Sequence, residues 1–218
     1  ITEDKGLTMA AAVTKEDSLQ QVINSANANI MLELTGPSTV FTHAKLAINN
    51  DLFCIIGASG LKQEQILYLQ QACKEKQLGA CIIPNFSIAS ALMSVCSRQI
   101  AKYLKEATIV ERHHAAKIDA PSATAKHTAQ QIAKEYKHKT NQNLTCYYED
   151  GIPIHSIRSS GVIAQQEVFF GQPGETLSIN HTTMQRSAFM PGLIMCCHRV
   201  LQLKEMIIGL EALMDLDS

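Results

Sequence analysis

The stretch LFCIIGASGLKQEQILYLQQACKEKQLGACIIPN (52–85) decides the fold class of this chain. It begins with an apolar run of strand length (52–58), continues with a segment whose apolar residues recur at helical spacing (62–77), and ends with a second apolar run (79–85). Short apolar runs separated by an amphipathic helix are typical of parallel strands joined by crossover helices. The stretch therefore predicts a strand–helix–strand unit of an α/β protein.

The same alternation extends toward the N-terminus. LTMAAAV (7–13) and NIMLELT (29–35) are predicted strands, and the segments 17–26 and 37–50 are predicted helices. The second of these helices opens with Pro37, which suits the first turn of a helix. Four repeats of strand and helix predict a doubly wound, Rossmann-like domain with a parallel sheet.

The second half of the chain has a different pattern. Helices are predicted at 87–107 and from about 123 to 137, on either side of a strand at 108–114. The turn GQPGE (171–175) predicts a hairpin, and the C-terminal stretch 187–216 is mostly helical in pattern. Three β-like runs lie at 152–160, 161–171 and 175–183. This half predicts an α+β domain with a mixed open sheet, followed by a return to the first domain.

The composition argues against nucleic-acid and membrane partners. The chain has 218 residues, a formal net charge of −1 and 46% hydrophobic residues, as expected for a globular protein. A near-neutral charge without a basic run gives no long-range attraction to nucleic acid or acidic lipid. The apolar runs are too short to span a bilayer and the N-terminus lacks an export signal, so we expect a cytoplasmic protein.

No metal site is expected. The seven cysteines form an odd set without a CxxC pair, and most lie inside apolar runs, which predicts buried, reduced thiols. His113 and His114 lack a third ligand at a familiar spacing, which weakens a zinc interpretation.

The chain contains no GxGxxG motif. Dinucleotide folds normally open with a strand, this glycine-rich turn and a helix, because glycines let the backbone approach the pyrophosphate. The sequence begins with Ile1, and its first recognisable strand is the one predicted at 7–13. Two explanations stay open: the sequence starts inside the first helix, or the protein has lost its phosphate-binding loop.

The segment ERHHAAKIDAPSATA (111–125) concentrates the candidate chemical groups. Taken one at a time, its residues suit the end of a strand and a capped helix. Pro121 fits a helix start, and Ser122 can accept a hydrogen bond from a backbone N–H of the first turn. For any single residue of the segment, a structural role is the favoured interpretation.

In combination, these residues predict a carboxylate-binding site beside a proton donor. The N–H groups of Ala123 and Thr124 lie at a helix N-terminus, and Lys117 and a protonated His114 would add positive charge. His113 could then transfer a proton to the bound molecule. Adjacent strand residues point to opposite faces, so the two histidines are expected to differ in role unless the strand has already ended.

The same segment resembles the signature ExHHxxKxDAPSGTA of the 4-hydroxy-tetrahydrodipicolinate reductase (dihydrodipicolinate reductase) family of the diaminopimelate route to lysine. It departs from that signature chiefly at Ala123, where the family has glycine. Four further segments resemble family motifs in the same order: LELTGP (32–37) resembles DFT/S-x-P, GASG (57–60) resembles GTTG, IPNFS (83–87) resembles APNFS, and 158–192 resembles the substrate domain. The resemblance covers the chain from about residue 6 onward.

This resemblance implies the reduction of a cyclic, imine-type dicarboxylate by a homotetramer, in the synthesis of lysine and cell-wall precursors. It implies that His113 protonates the substrate carbon as hydride arrives and that Lys117 is the second proton donor. The residues that would hold the substrate are His114, Ser122, Ala123, Thr124 and Arg186. If the family glycine needs a positive φ, Ala123 would be strained, whereas a helical φ would cost nothing.

A nicotinamide cofactor, NADPH or NADH, is also implied. Two loops would border its nicotinamide half, largely through backbone atoms: Gly57, Ala58 and Ser59 in one, and Ile83, Pro84, Asn85 and Phe86 in the other. Lys15 falls where the family can place an arginine against the 2′-phosphate of NADPH, and a merely solvated lysine is an equal alternative. Glu16 or Asp17 could instead meet the ribose of NADH.

The resemblance therefore predicts two domains. A Rossmann-like dinucleotide-binding domain without its first strand–helix unit would comprise 1–87 and 187–218, and a substrate-binding and tetramerisation domain would comprise 88–186. The absent GxGxxG motivates an alternative of a different class, a non-catalytic relative that keeps the substrate domain but has lost cofactor binding. We favour the enzyme, because the candidate catalytic and carboxylate-binding residues occur together.

Overall fold

The structure, a computed structural model, describes residue 4, residues 6–136, residues 145–214 and residue 216. It divides into two compact units, Ile1–Phe86 with Pro191–Ser218, and Ser87–Met190. Each unit has its own β-sheet and its own cluster of buried apolar residues. Of the helices in the described part of the chain, none combines the length and the apolar content that a bilayer crossing requires.

Along the chain, the strands of the second sheet follow the first three strands of the first sheet, and the last strand returns to the first sheet. In the described residues the helices and strands are α1 Leu19–Ser25, β1 Ile30–Glu33, α2 Val40–Asn49, β2 Phe53–Ile56, α3 Gln63–Lys76, β3 Ala80–Ile82, α4 Ile88–Ala101, β4 Glu106–His113, α5 Ala123–Ala133, β5 Tyr147–Glu149, β6 Ile152–Arg158, β7 Ala164–Gln172, β8 Glu175–Thr183, α6 Met190–Val200 and β9 Met206–Ile208. Two 3-10 helices, Arg186–Phe189 and Leu210–Leu213, complete the set.

The sheet of the first unit is parallel, in the strand order β1-β2-β3-β9. Successive residues of β2, Cys54, Ile55 and Ile56, are all fully buried, so β2 is covered on both faces. Such a strand needs a continuous apolar run rather than an alternating one. Helix α2 packs against it with Val40, Ala44 and Ile48, which share one helix face.

The sheet of the second unit is mixed, in the strand order β5-β6-β4-β7-β8. Its central strand β4 pairs parallel with β6 and antiparallel with β7. Alternate residues of β4, namely Ala107, Ile109 and Glu111, are buried, so one face of the strand lies against the core. Helix α5 contributes Ala129 and Ile132 to the same apolar cluster.

The predicted fold class is confirmed: an α/β protein with a parallel sheet and a second, mixed sheet. The predicted hairpin at 171–175 is also confirmed, because β7 and β8 pair antiparallel up to Gln172 and Glu175. Helix α5 ends at Ala133, and residue 137 of the predicted helix lies outside the described residues.

Two predictions of secondary structure were wrong, and two strands were missed. Residues 7–13 are not a strand, because they pair with no strand in the described part of the chain and most of them are exposed. The helix predicted to reach 107 ends at Ala101, because Glu106 and Ala107 pair with Gly171 and Phe170 in the second sheet. The missed strands are β5 and β9. β9 lies within 187–216, which was predicted to be mostly helical, and β5 is a strand because it pairs with β6.

Candidate active site

The candidate site of the second unit is built at the C-terminal end of β4. Glu111 points into the core of that unit with its side chain fully buried, and His113 is the last residue of the strand. Because these two residues are two positions apart on one strand, their side chains lie on the same face. The Nδ1 atom of His113 is hydrogen-bonded to Oε2 of Glu111. His114 lies just beyond the end of the strand.

Arg158 binds the buried carboxylate from the neighbouring strand. The parallel register of β4 and β6 sets Arg158 opposite His113. Its Nη1 donates to Oε2 of Glu111 at 3.1 Å and its Nη2 donates to Oε1 at 3.0 Å, a two-point contact that suits the planar guanidinium. The same side chain donates from Nε to the carbonyl of Lys117 at 3.2 Å and from Nη2 to the carbonyl of Asp119 at 2.6 Å.

The Glu111 carboxylate is ionised at neutral pH. Burial by itself raises the pKa of this group, but hydrogen bonds from His113, Arg158 and Ser156 outweigh burial and lower the pKa to about 2. An ionised carboxylate has no proton to donate and acts only as an acceptor. Each group that contacts the Glu111 carboxylate must therefore donate the hydrogen of that hydrogen bond.

Lys117 is held within its own loop. Its Nζ lies 2.7 Å and 2.8 Å from the two carboxylate oxygens of Asp119, and its backbone N–H donates to the carbonyl of His114 at 3.0 Å. Partial burial raises the pKa of Asp119, but the hydrogen bond from Lys117 prevails and lowers it. The loop thus presents an ammonium group beside the end of β4.

The anion site was predicted at the N-terminus of α5. Ser122 is the N-cap, and its Oγ accepts from the backbone N–H of Ala125 at 3.1 Å. No acceptor for the N–H groups of Ala123 and Thr124 occurs among the described residues. Ala123 is the first residue of the helix and is not among the residues with positive φ, so its departure from the family glycine causes no backbone strain. The N–H of Ser122 lies 3.4 Å from Oε1 of Glu111.

The structure brings some of the predicted site residues together and leaves others apart. His113, Ser122 and the loop of Lys117 all meet Glu111, directly or through Arg158. Arg186 is exposed in its 3-10 helix, and in the described part of the chain no hydrogen bond or ion pair joins it to the other candidates. Among the residues that the structure describes, the half-buried His114 is connected to them only through its backbone carbonyl.

Two residues of this network, Glu111 and Arg158, were missed in the sequence. A signal for Glu111 was present, because it falls on the core-facing positions of β4, two residues after Ile109 and two before His113. A charged residue at such a position is nearly always paired. Arg158 has no local signal, since only the register of β4 and β6 places it beside Glu111.

The candidate cofactor loops of the first unit lie at the carboxyl edge of the parallel sheet. Residues 57–59 follow β2 and residues 83–86 follow β3, where open α/β sheets bind ligands. The N–H groups of Gly57 and Ala58 donate to the carbonyl of Glu33 at 2.9 Å and 3.2 Å, and that of Ile83 donates to Ile56 at 2.8 Å. These three N–H groups are already hydrogen-bonded within the protein. They are therefore not free to donate to a bound cofactor, as was expected of backbone atoms in these loops.

The same edge carries exposed apolar surface. Leu34, directly after β1, is 55% exposed. A Cβ atom on Gly57 would lie 2.6 Å from Cδ2 of Leu34 and 2.6 Å from Cε2 of Phe86, so the three residues pack closely together. The carboxylate of Glu33, the last residue of β1, is hydrogen-bonded to Nδ1 of His43 at 2.9 Å. This edge of the parallel sheet is therefore partly apolar.

The acidic and basic candidates near residue 15 lie in an exposed turn. Lys15 has no partner among the described residues. The Asp17 carboxylate accepts from the backbone N–H and from the hydroxyl of Thr14, both at 2.8 Å, and these two bonds lower its pKa. Asp17 is thus engaged with Thr14, whereas Lys15 is accessible.

All seven cysteines are free thiols, and five of them are buried. Within the described residues, no group of three histidine, cysteine, aspartate or glutamate side chains is arranged to hold a metal ion.

Comparison with known proteins identifies the family. The family model described as "Dihydrodipicolinate reductase, N-terminus" matches residues 2–86, and the one described as "Dihydrodipicolinate reductase, C-terminus" matches residues 88–214. The chain belongs to the dihydrodipicolinate reductase family. This confirms the family indicated by the segment 111–125 and its collinear motifs.

Relatives within the dihydrodipicolinate reductase family match nearly the whole chain. A 4-hydroxy-tetrahydrodipicolinate reductase of Coxiella burnetii is 38% identical over 218 residues, which cover 98% of this chain and 91% of the relative. One from Legionella pneumophila is 40% identical over 214 residues, covering 94% and 88%. The solved dipicolinate-bound dihydrodipicolinate reductase of Paenisporosarcina sp. TG-14 is 35% identical with a TM-score of 0.76, covering 90% of this chain and 78% of that structure.

Proposed function

We propose that the chain reduces 4-hydroxy-tetrahydrodipicolinate to tetrahydrodipicolinate with NADPH or NADH, in the diaminopimelate route to lysine. The reaction takes up one hydride and one proton and releases one water. The observation that carries the proposal is the meeting of His113, the loop of Lys117 and the N-terminus of α5 at one buried carboxylate. Named relatives from Coxiella burnetii and Legionella pneumophila support the substrate.

The substrate is a ring with two carboxylates, and the second unit offers groups for both. The N–H groups of Ala123 and Thr124, with the Thr124 hydroxyl, would bind one carboxylate at the positive end of α5. The Lys117 ammonium would attract the other, with His114 and Arg186 as helpers. The dipicolinate bound to the Paenisporosarcina relative, itself a planar dicarboxylate, supports a pocket for this class of ligand.

His113 and Lys117 would supply two protons, one to a ring carbon and one to the hydroxyl that leaves as water. The ring gives up one proton to a base as the hydroxyl leaves, so the net uptake is one proton. The bound nicotinamide cofactor supplies the hydride. Because Nδ1 of His113 is engaged with Glu111, the imidazolium form of His113 would donate its Nε2 proton to the substrate carbon and keep the hydrogen on Nδ1. The Lys117 ammonium, next to the end of β4, is the second donor in this proposal.

The first unit would hold the cofactor at the carboxyl edge of its sheet. Leu34, Gly57 and Phe86 would border the nicotinamide ring, together with residues 58, 59 and 83–85. The accessible Lys15 would contact the 2′-phosphate of NADPH, which favours NADPH over NADH. We assign dinucleotide binding to 1–87 with 187–218, and substrate binding and tetramerisation to 88–186.

We also propose that the protein is a cytoplasmic homotetramer. Strand β8 is an edge of the mixed sheet, and its Leu177 is 42% exposed. An edge strand with exposed apolar side chains is suited to burial against a second copy of the chain.

The proposal is tested by the oxidation of NADPH and NADH in the presence of enzymatically generated 4-hydroxy-tetrahydrodipicolinate. Replacing His113 with glutamine should lower kcat about 100-fold, because the acid is lost. His155→Gln, which removes another histidine of the same sheet, should leave kcat unchanged. Absence of turnover by the unsubstituted protein would refute the activity. Failure to bind either cofactor would favour the non-catalytic alternative.

A further inference from the structure

Three separate parts of the candidate site converge on the Glu111 carboxylate. Oε2 meets Nδ1 of His113, Oε1 lies 3.4 Å from the N–H of Ser122, and both oxygens accept from Arg158. Through Arg158 the carboxylate is also connected to the carbonyls of residues 117 and 119, 41 and 39 residues away from Arg158 along the chain. Glu111 itself is fully buried and has no exposed surface through which to contact substrate.

We propose that Glu111 is a positioning residue, which sets the tautomer of His113 and holds the three parts of the site in register. The inference rests on the proposed function. An ionised carboxylate can only accept, so the Nδ1 atom facing it must carry a hydrogen. In the neutral ring this leaves Nε2 without a proton and therefore as the atom that gains and gives the catalytic proton.

Arg158 extends this effect to the lysine loop. All three guanidinium nitrogens donate hydrogen bonds: Nη1 donates to Glu111, Nε donates to a loop carbonyl, and Nη2 donates to both Glu111 and a second loop carbonyl. The planar guanidinium fixes the relative positions of the groups it contacts better than the flexible ammonium of a lysine would. Displacing Glu111 would therefore misplace His113 and the backbone that carries Lys117 at the same time, and small misplacements of catalytic groups reduce rates strongly.

The tautomer of His113 provides a test that does not depend on turnover. In the full chain labelled with ¹⁵N-histidine, the His113 signals are assigned from the spectrum of His113→Gln. We expect the neutral ring to carry its proton on Nδ1, and to shift to the Nε2–H form in Glu111→Ala. An Nε2–H ring in the unsubstituted protein overturns the inference, and this measurement needs no variant at position 111. An unchanged tautomer in a folded Glu111→Ala protein overturns it as well.

Steady-state kinetics test the consequence for catalysis. Glu111→Gln keeps the side-chain shape but puts an NH2 donor in place of one acceptor oxygen, so either His113 or Arg158 loses its acceptor and is displaced. We expect kcat to fall about 100-fold and KM to change less than about threefold, because groups are misplaced rather than binding lost. Arg158→Lys should lower kcat less, since charge is kept but the fork is lost. Glu106→Gln, at an exposed position of the same strand, is the matched control and should behave as the unsubstituted protein.

The two proposals fail in different ways. If the unsubstituted protein reduces the substrate and Glu111→Gln has the same kcat, with or without a higher KM, the positioning role is refuted and the activity stands. If the unsubstituted protein shows no turnover while the tautomer responds to Glu111 as expected, the proposed activity is refuted and the structural control of His113 stands.

Discussion

Replacing Glu111 with glutamine should remove part of the acid sensitivity of the second unit. The folded-state pKa of Glu111 is about 2, below the ordinary value of 4.5 that it regains on unfolding. A lowered pKa stabilises the fold fully above the unfolded-state value, and that stabilisation is lost as pH falls toward the folded-state value. The Glu111 side chain is fully buried, so solvent does not screen its interactions.

The expected magnitude follows from the two pKa values. The difference between 4.5 and about 2 stabilises the fold by about 3 kcal/mol near pH ~6 and by about 1 kcal/mol near pH ~3. The unsubstituted protein should therefore lose about 2 kcal/mol more than Glu111→Gln across this interval. The variant will start from lower stability, because the guanidinium of Arg158 loses its buried partner.

Urea unfolding followed by tyrosine fluorescence measures this effect in the relevant unit. The chain has no tryptophan and five tyrosines, four of which belong to the second unit: Tyr103, Tyr136, Tyr147 and Tyr148. Glu106→Gln, exposed on the same strand, should keep the acid dependence of the unsubstituted protein. Equal pH slopes for Glu111→Gln and the unsubstituted protein would refute the reasoning.

Five further substitutions, at four positions, test other parts of the structure. Ser122→Ala should lower the free energy of unfolding by about 1 kcal/mol, because the helix cap is lost. Ser122→Asp should keep the cap but raise KM for the dicarboxylate substrate, because its negative charge repels the substrate carboxylate. Equal KM values for the two variants would contradict the anion site. Gly192→Ala should destabilise by about 2 kcal/mol or more in chemical unfolding, because its Cβ would lie 2.0 Å from the Phe86 carbonyl oxygen, although alanine favours helices. Gly36→Ala, in open space, should be nearly neutral, and a similar cost at both glycines would disprove the contact argument. Lys15→Ala should raise KM for NADPH about tenfold and leave KM for NADH unchanged, and a parallel change in both would exclude 2′-phosphate binding.

Much of the fold could be predicted from local patterns. Strand β2 is buried on both faces, so its sequence is a continuous apolar run that is readily recognised. The glycine- and proline-containing turn between β7 and β8 indicates a hairpin by itself. The strand expected at 7–13 fails for the opposite reason, because an apolar run becomes a strand only when a partner accepts its hydrogen bonds, and the described residues provide none.

The sequence by itself determined the fold class, the family and a contiguous set of candidate groups from His113 to Thr124, because burial periodicity, helix capping and motif spacing are properties of neighbouring residues. Only the tertiary structure decided what those groups are attached to. Arg158 lies 47 residues from Glu111 along the chain and reaches it because β4 and β6 pair in one particular register. A one-residue change in that register would turn the arginine to the opposite face, and hydrogen bonds extend only about 3 Å, so the network depends on the folded sheet.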